Sequence, residues 1–170
     1  MPVMTGLLIG KDLLEEDAKR CRVTPPLAGN SLHPVKLLNL DHVGIAVRDL
    51  DTALDGYRLR YRVEPLYRET VESQGVDEAM IPVGGSYLQL LQPLAPDTPV
   101  GRFLDRNGEG LHHIAFVVAS IDVALEHLAS SGARLVDERA RSGSRGTRIA
   151  FVHPGDLAGT LIELVELPDV

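Results

Sequence analysis

The stretch His42–Leu54, HVGIAVRDLDTAL, returns 71 residues later as His113–Leu125, HIAFVVASIDVAL. Five positions are identical in the two copies, and most of the others are apolar in both. Each copy has a short apolar run, then a turn, then apolar residues at helical spacing, which predicts a strand followed by a helix. An internal repeat of this kind indicates two copies of one supersecondary unit.

The residues between strand and helix support the same interpretation. Asp49 and Ser120 immediately precede the two predicted helices. Because Asp and Ser side chains accept hydrogen bonds from the free N–H groups of a first helical turn, both residues are predicted N-caps.

The ends of the two halves also match, at an offset of 74 residues. Tyr87–Pro93, YLQLLQP, lies over Leu161–Leu167, LIELVEL. Further strands are predicted between the helix and the last strand of each half, at Val63–Val71, Ala79–Val83, Arg134–Arg139 and Arg148–Val152. The sequence therefore predicts an α+β fold built from two βαβββ modules.

Four polar residues occupy equivalent places in otherwise apolar strands of the two halves: His42, Gln89, His113 and Glu163. Buried polar groups need partners, and a single metal ion bound by all four would satisfy them together. Gly44, Ala46 and Ala115 follow the histidines on the same strand faces and would leave a hollow beside the ligands. The alternative is four polar residues that are hydrogen-bonded independently.

Composition limits the class of protein. The chain has 170 residues and a net charge of -7, which argues against a nucleic acid or a membrane surface as partner. No apolar run approaches the roughly 20 residues of a membrane helix. A single cysteine, Cys21, excludes an intrachain disulfide and fits a reducing compartment, so we expect a cytoplasmic protein.

The beginning of the chain differs from the rest. Residues 1–36 end in a Pro-, Gly- and Asn-containing stretch, and we interpret them as an arm or a partly disordered tail. Residues 37–170 form the predicted domain, with module one at about 37–95 and module two at about 108–168.

The paired modules with their His, Gln, His and Glu resemble the vicinal oxygen chelate (glyoxalase/bleomycin resistance/dioxygenase) superfamily. From Asp41 to about Leu167 the chain is similar to its methylmalonyl-CoA epimerase family. The similar segments are DHVGIAV at 41–47, QGVDEAM at 74–80, YLQLLQP at 87–93, NGEGLHHIAF at 107–116, GSRGTRIAFVHP at 143–154 and LIELVE at 161–166. The Gln-Gly-Val-x-Glu segment together with Gln89 is the part most specific to the epimerases.

The resemblance implies a glyoxalase-like fold with a metal site in the cleft of the sheet. It implies an epimerase of propionate metabolism that interconverts (2R)- and (2S)-methylmalonyl-CoA through a metal-stabilised enolate, and a homodimer. The implied ligands are His42, Gln89, His113 and Glu163, with Glu78 and Glu163 as catalytic carboxylates. A mixed N/O site suits Co²⁺, the metal we expect, and also Mn²⁺, Ni²⁺ or Zn²⁺.

Inversion at carbon needs an acid and a base on opposite faces of the planar enolate. Glu78 is the clearer candidate, because Glu163 is also assigned as a ligand; a water molecule is an alternative second proton carrier.

Some of the other polar residues have two possible interpretations, and the rest are predicted to be structural. Ser144, Arg145 and Arg148 lie in a Gly-rich basic loop that either binds CoA phosphates or is a solvated hairpin loop. Gln92 and Glu166 share a repeat position and are predicted to be structural or to support the site. His112 is predicted to face away from His113, because neighbours on a strand alternate.

Two other functions remain open at this point. A glyoxalase-type isomerase or lyase would act on a glutathione adduct, but that family tends to have Glu where this chain has Gln89. It also has no reason to keep the Gln74–Glu78 segment. A non-catalytic small-molecule-binding protein of the same fold needs no metal, so four ligand-type residues argue against it.

Overall fold

The structure is a computed structural model, and it describes residues 35–156 and 158–168. Within these residues it has eight strands and three α-helices. The strands are β1 (Leu37–Ala46), β2 (Tyr67–Val71), β3 (Val76–Val83), β4 (Ser86–Pro93), β5 (Gly110–Val118), β6 (Arg141–Ser142), β7 (Arg148–Val152) and β8 (Ile162–Glu166). The helices are α1 (Leu50–Tyr61), α2 (Pro99–Asn107) and α3 (Ile121–Ser130). The predicted arm lies outside the described residues, apart from its last two positions.

The strands form one sheet in the order β2-β3-β4-β1-β5-β8-β7-β6. Within each module the first and last strands are parallel neighbours, β1 with β4 and β5 with β8. The two modules meet at the centre of the sheet, where β1 and β5 pair antiparallel. The predicted α+β fold of two paired modules is therefore confirmed. None of the helices in the described ranges is long and apolar enough to cross a membrane.

Helices α1 and α3 cover one face of the sheet. Each buries apolar residues at helical spacing, Leu50 and Leu54 in α1, Ile121 and Leu125 in α3. Both predicted N-caps are confirmed: the Asp49 carboxylate accepts from the amide of the third residue after it at 2.6 Å, and the Ser120 hydroxyl accepts equivalently at 3.4 Å. This leaves the opposite face of the central strands for a site.

The last strand of each module is tied to the helix of that module by a side chain. Gln92 Oε1 accepts from the amide of Leu50 at 2.6 Å, and Glu166 Oε2 accepts from the amide of Ile121 at 2.6 Å. These amides belong to the first turns of α1 and α3, whose N–H groups have no partner within the helix. The structural role predicted for Gln92 and Glu166 is confirmed.

The strand predicted at Arg134–Arg139 is wrong. In this segment Leu135 makes a single bridge to Val152 and the ladder does not continue. The Asp137 carboxylate accepts from the backbone amide of Phe151 at 2.9 Å, so a side chain takes a donor of the neighbouring strand. Asp competes with backbone pairing in this way because its short side chain reaches nearby N–H groups.

Helix α2 was not predicted, and it lies on the face of the sheet opposite α1 and α3. Thr98 caps it by accepting from Gly101 at 3.0 Å, and Pro99 occupies its first position. Val100 and Leu104 pack against Ala46 and Leu91 of the sheet. Because only Val100, Phe103 and Leu104, within little more than one turn, define its buried side, its period is too short to be recognised in the sequence.

We predict that Gln92→Ala lowers the free energy of unfolding by about 1 kcal/mol, because the Leu50 amide at the start of α1 loses its acceptor. Urea denaturation measures this. Gln74→Ala is the matched control, because the Gln74 side chain makes no hydrogen bond to the described residues. Equal stability of the two variants would contradict the capping role.

Candidate active site

Two lines of residues cross the centre of the sheet on one face. In the first line, Gln89 of β4, Gly44 of β1 and His113 of β5 are direct neighbours. In the second, His42 of β1 and Glu163 of β8 flank one residue of β5. Because residues two apart on a strand face the same side, the polar side chains of both lines project into one cleft.

Three of these side chains meet at their tips. The Nε2 atoms of His42 and His113 are 2.9 Å apart, and Glu163 Oε2 lies 2.9 Å from His113 Nε2 and 3.2 Å from His42 Nε2. All three residues are buried, and their ligand-type atoms lie within 4.8 Å of one another. Two imidazole nitrogens and a carboxylate oxygen at this spacing can hold one metal ion.

Gly44 makes this convergence possible. A Cβ atom at Gly44 would lie 2.5 Å from His113 Nδ1 and 2.7 Å from its Nε2, so any side chain here overlaps the imidazole ring. The His113 ring therefore lies directly over the backbone of its cross-strand neighbour. The sequence predicted a hollow beside the ligands. At Gly44 the ring of His113 fills that space.

Both histidines follow a residue that has no direct partner across the β1–β5 pair. A shift in the register between Leu40 and His42 leaves Asp41 without a partner on β5. A second shift, directly after Gly44, leaves His112 without a partner on β1. Such β-bulges turn a side chain away from the usual alternation. His42 Nδ1 accordingly donates to Asp41 Oδ2 at 2.7 Å.

His112 is the equivalent support of the second module. Its Nδ1 lies 2.9 Å from His113 Nδ1, so the prediction that His112 faces away from His113 is wrong. Alternation fails here because the bulge inserts one residue. Each ligand-type histidine is thus held at Nδ1 by the preceding residue, which leaves Nε2 directed at the other histidine. Asp41 was missed, although the 71-residue repeat places it over His112.

The charges within the cluster are strongly perturbed. Burial lowers the pKa of His42, but hydrogen bonds and attraction to Asp41 and Glu163 outweigh it and raise the value to about 9. Burial raises the pKa of Glu163, but its hydrogen bonds with His113 and His42 hold it well below the usual range. Burial and the neighbouring His113 lower the pKa of His112 to about 4. Glu163 is therefore an anion that attracts positive charge between the two histidines.

Gln89 offers a fourth ligand atom on the line of His113. Its Nε2 donates to Glu78 Oε2 at 2.8 Å, which fixes the orientation of the amide. The remaining oxygen, Oε1, is buried and has no partner among the described residues. A buried carbonyl oxygen without a donor is costly, and a divalent cation would satisfy it. The donor set of two nitrogens and two oxygens fits such an ion.

Glu78 is the buried carboxyl beside this set. It is fully buried on β3, and its Oε1 has no hydrogen-bond partner in the part of the chain that the structure describes. Burial raises the pKa of Glu78 to about 7, although Ser144 beside it acts in the opposite direction. A carboxyl group with a pKa near neutrality can both accept and return a proton.

The Gly-rich loop of module two reaches across to module one. Arg145 donates to Asp41 Oδ2, and its guanidinium lies 5.2 Å from the centre of the Tyr87 ring. Ser144 lies beside Glu78. These contacts place both residues at the site, while their role in binding phosphate stays a prediction.

Arg148, the third basic-loop residue, is not brought to the cleft. Its guanidinium donates to Glu166 and to Asp122 of α3, each at 2.8 Å, on the helix-covered side of the sheet. A role in binding CoA phosphates stays a prediction for Arg148 too, and it would require these ion pairs to open.

A cavity of about 610 Å³ opens on the imidazoles of His112 and His113. Helix α2, the end of β7 and the segment after it form its walls. The described residues that line it include three arginines, Arg102, Arg106 and Arg141, and no carboxylate. An anionic molecule can therefore approach the cluster from this side.

We predict that Gly44→Ala weakens Co²⁺ binding by at least about tenfold, because the added methyl group displaces the His113 ring. Equilibrium dialysis measures the affinity. Gly85→Ala is the control, because no atom of the described residues lies within 4 Å of a Cβ at that position. Wild-type affinity in both variants would show that the ring position does not matter for metal binding.

The comparisons with known proteins agree with this geometry. The profile of the Glyoxalase/Bleomycin resistance protein/Dioxygenase superfamily matches residues 41–151. An uncharacterized protein of Bacillus subtilis, YqjC, is 40% identical over 75% of this chain and 91% of its own length. The ethylmalonyl-CoA/methylmalonyl-CoA epimerase of Cereibacter sphaeroides is 34% identical over 75% of this chain and 97% of its own.

A solved structure of methylmalonyl-CoA epimerase in complex with methylmalonyl-CoA and ammonium is 44% identical, with a TM-score of 0.76. The match covers 79% of this chain and 98% of that one. The extent of these matches, together with the paired modules and the clustered His and Glu residues, shows that the chain belongs to the glyoxalase/bleomycin resistance protein/dioxygenase superfamily, among relatives of the methylmalonyl-CoA epimerases.

Proposed function

We propose that this chain is a metal-dependent epimerase that interconverts (2R)- and (2S)-methylmalonyl-CoA. The observation that carries the proposal is the Glu78–Gln89 pair beside the His42, His113 and Glu163 cluster. The amide nitrogen of Gln89 binds a fully buried carboxyl, and its buried oxygen has no partner among the described residues, so it is available to an ion. This arrangement joins a cation site to a group that can move a proton.

The reaction needs a site that tolerates negative charge on the substrate. The inverting carbon lies between a thioester carbonyl and a carboxylate, and removal of its proton leaves an enolate. A bound divalent cation, of which Co²⁺ is the one expected and Mn²⁺, Ni²⁺ or Zn²⁺ are alternatives, would supply Lewis-acid stabilisation of the enolate oxygen. His42, Gln89, His113 and Glu163 would hold it.

Glu78 is the proposed acid and base on one face of the substrate. Its Oε1 has no partner within the described chain, so it is available to take the proton from carbon. Its raised pKa of about 7 lets it return that proton at neutral pH. Glu163 is the family's candidate for the other face. Because two histidines hold its pKa low, Glu163 is better suited to binding the ion, and a water molecule remains the alternative proton carrier.

The CoA part of the substrate fits the arginine-lined cavity. CoA carries phosphate groups, and guanidinium groups bind phosphate well. Arg102, Arg106 and Arg141 line this cavity together with His113. The name of the Cereibacter sphaeroides relative includes ethylmalonyl-CoA, so a longer acyl branch is part of the proposed substrate range.

Two residues favour this function over the alternatives. A glutathione-dependent isomerase or lyase gives no reason for a buried Glu78, and a binding protein without a metal gives no reason for the unpartnered Gln89 oxygen. A homodimer and a cytoplasmic location stay predictions from the resemblance and the composition.

We expect the protein to exchange the C2 proton of methylmalonyl-CoA in D₂O. Deuterium at C2 is followed by mass spectrometry with Co²⁺ bound, after chelation, and after Co²⁺ is restored. Metal-dependent incorporation is expected, because enolate formation exposes C2 to solvent protons. Absence of incorporation with Co²⁺ or Mn²⁺ bound would contradict the substrate, and glutathione adducts would then be tested.

We predict that Glu78→Gln retains Co²⁺ but lowers epimerisation by at least about a hundredfold, because the amide still accepts from Gln89 and carries no transferable proton. His113→Ala loses both metal and activity. Glu72→Gln, in the exposed turn after β2, is the control and keeps both. Wild-type activity of Glu78→Gln would reject Glu78 as the proton carrier.

A further inference from the structure

The two ligand-type histidines are supported at Nδ1 by different chemical groups. His113 is held by the imidazole of His112, whose ring packs against Phe103 with 4.9 Å between the ring centres. His42 is held by the carboxylate of Asp41, which is only 5% exposed. A buried carboxylate is costly unless a cation or further donors compensate its charge. The support of His42 therefore needs a partner that the support of His113 does not need.

Arg145 is that partner, and it comes from the other module. Its Nη2 atom donates to Asp41 Oδ2, the same oxygen that accepts from His42 Nδ1 at 2.7 Å. Both side chains of this ion pair are largely shielded from water, because that of Arg145 is only 22% exposed. A charge-assisted hydrogen bond that is partly buried is strong and is little screened by salt. The orientation of the Asp41 carboxylate thus depends on Arg145 as well as on His42.

The guanidinium of Arg145 makes a second contact beside His42. Its central carbon lies 5.2 Å from the centre of the Tyr87 ring, within the distance of a cation–π interaction. Tyr87 is the direct neighbour of His42 in the pairing of β1 with β4. Arg145 therefore contacts both the residue that precedes His42 in the chain and the residue beside it in the sheet.

The backbone of the loop at residues 143–147 brings Arg145 to this place. Arg145 has φ 57° and ψ 22°, in the left-handed region that residues other than glycine rarely adopt. Two backbone hydrogen bonds close the turn around it: the Gly143 amide donates to the Thr147 carbonyl at 2.9 Å, and the Thr147 amide donates to the Ser144 carbonyl at 3.0 Å. Such a conformation persists where surrounding contacts hold it, and the two contacts of the guanidinium do so.

We propose that Arg145 is a positioning residue for the metal ion: through Asp41 it fixes the imidazole of His42, and a bound ion in turn holds the loop at residues 143–147 in place. The inference rests on the proposed function, in which His42 is a metal ligand. Residues behind a ligating histidine affect metal affinity because they fix the orientation of its ring. Coupling between two sites is reciprocal, so the factor that Arg145 contributes to metal affinity is also the factor that the ion contributes to loop closure.

Equilibrium dialysis with Co²⁺ tests the first half of the proposal. We expect Arg145→Met to bind Co²⁺ about tenfold more weakly than wild type, because Asp41 loses the donor that orients it. Arg145→Lys keeps a cation that can donate to Asp41, and we expect its affinity to stay within about threefold of wild type. Arg139→Met removes an exposed arginine from the segment before β6 and is the control, with wild-type affinity expected.

Hydrogen exchange tests the reciprocal half. Opening of the loop frees the amides of Gly143 and Thr147, so mass spectrometry of the peptide that contains both amides reports it. We expect Co²⁺ to slow this exchange about tenfold in wild type and to have no effect on it in Arg145→Met. A purely structural role of Arg145 would make exchange faster in the variant but would leave it independent of Co²⁺ in both proteins.

Other outcomes overturn the proposal. If Arg145→Met binds Co²⁺ as wild type does, if Arg145→Lys is as weak as Arg145→Met, or if Co²⁺ slows loop exchange equally in wild type and Arg145→Met, the ion pair with Asp41 does not connect the metal to the loop. The proposed function stands in each of these cases if wild type exchanges the C2 proton of methylmalonyl-CoA. If wild type binds no Co²⁺, the proposed metal-dependent function and this proposal fail together.

Discussion

The antiparallel pairing of β1 with β5 is the constraint on which the rest of the structure depends. It joins the two modules, places His113 over Gly44, and leaves one residue unpaired beside each histidine. Those unpaired residues, Asp41 and His112, hold the Nδ1 atoms. A change of register by one residue would put His42 and His113 on opposite faces of the sheet, so the pairing determines fold and site together.

The two modules contribute unequally to the chemistry, although they repeat one pattern. Module two supplies Glu163, the ligand with a formal charge, whereas Gln89 at the equivalent place supplies a neutral amide. The amide has a nitrogen that Glu163 lacks, and that nitrogen binds the Glu78 carboxyl. In the proposed mechanism, the divergence of one repeat position therefore gives the cleft a metal-binding side and a proton-transfer side. The loop carrying Arg145 then connects module two to that second side.

Much of this arrangement could be predicted, because repeated strands carry their side chains at fixed intervals. The equivalence of His42 with His113, and of Gln89 with Glu163, follows from counting along the chain. The repeat places Asp41 over His112, but the contact of Asp41 with His42 could not be predicted, because a bulge depends on how two strands far apart in sequence pair. Interactions between modules, such as Arg145 with Asp41, have no local signal. The strand predicted at Arg134–Arg139 was wrong, because the Asp137 side chain accepts from a backbone N–H of the neighbouring strand.

Anomalous diffraction from crystals of the Co²⁺-loaded protein tests the central claim most directly. The account predicts one strong cobalt peak, bound by Nε2 of His42 and His113, a Glu163 carboxylate oxygen and Oε1 of Gln89. It also predicts that the Gln89 nitrogen still donates to Glu78. Cobalt bound elsewhere, or a cobalt site that excludes Gln89, would contradict the view that one amide links the metal to the proton carrier.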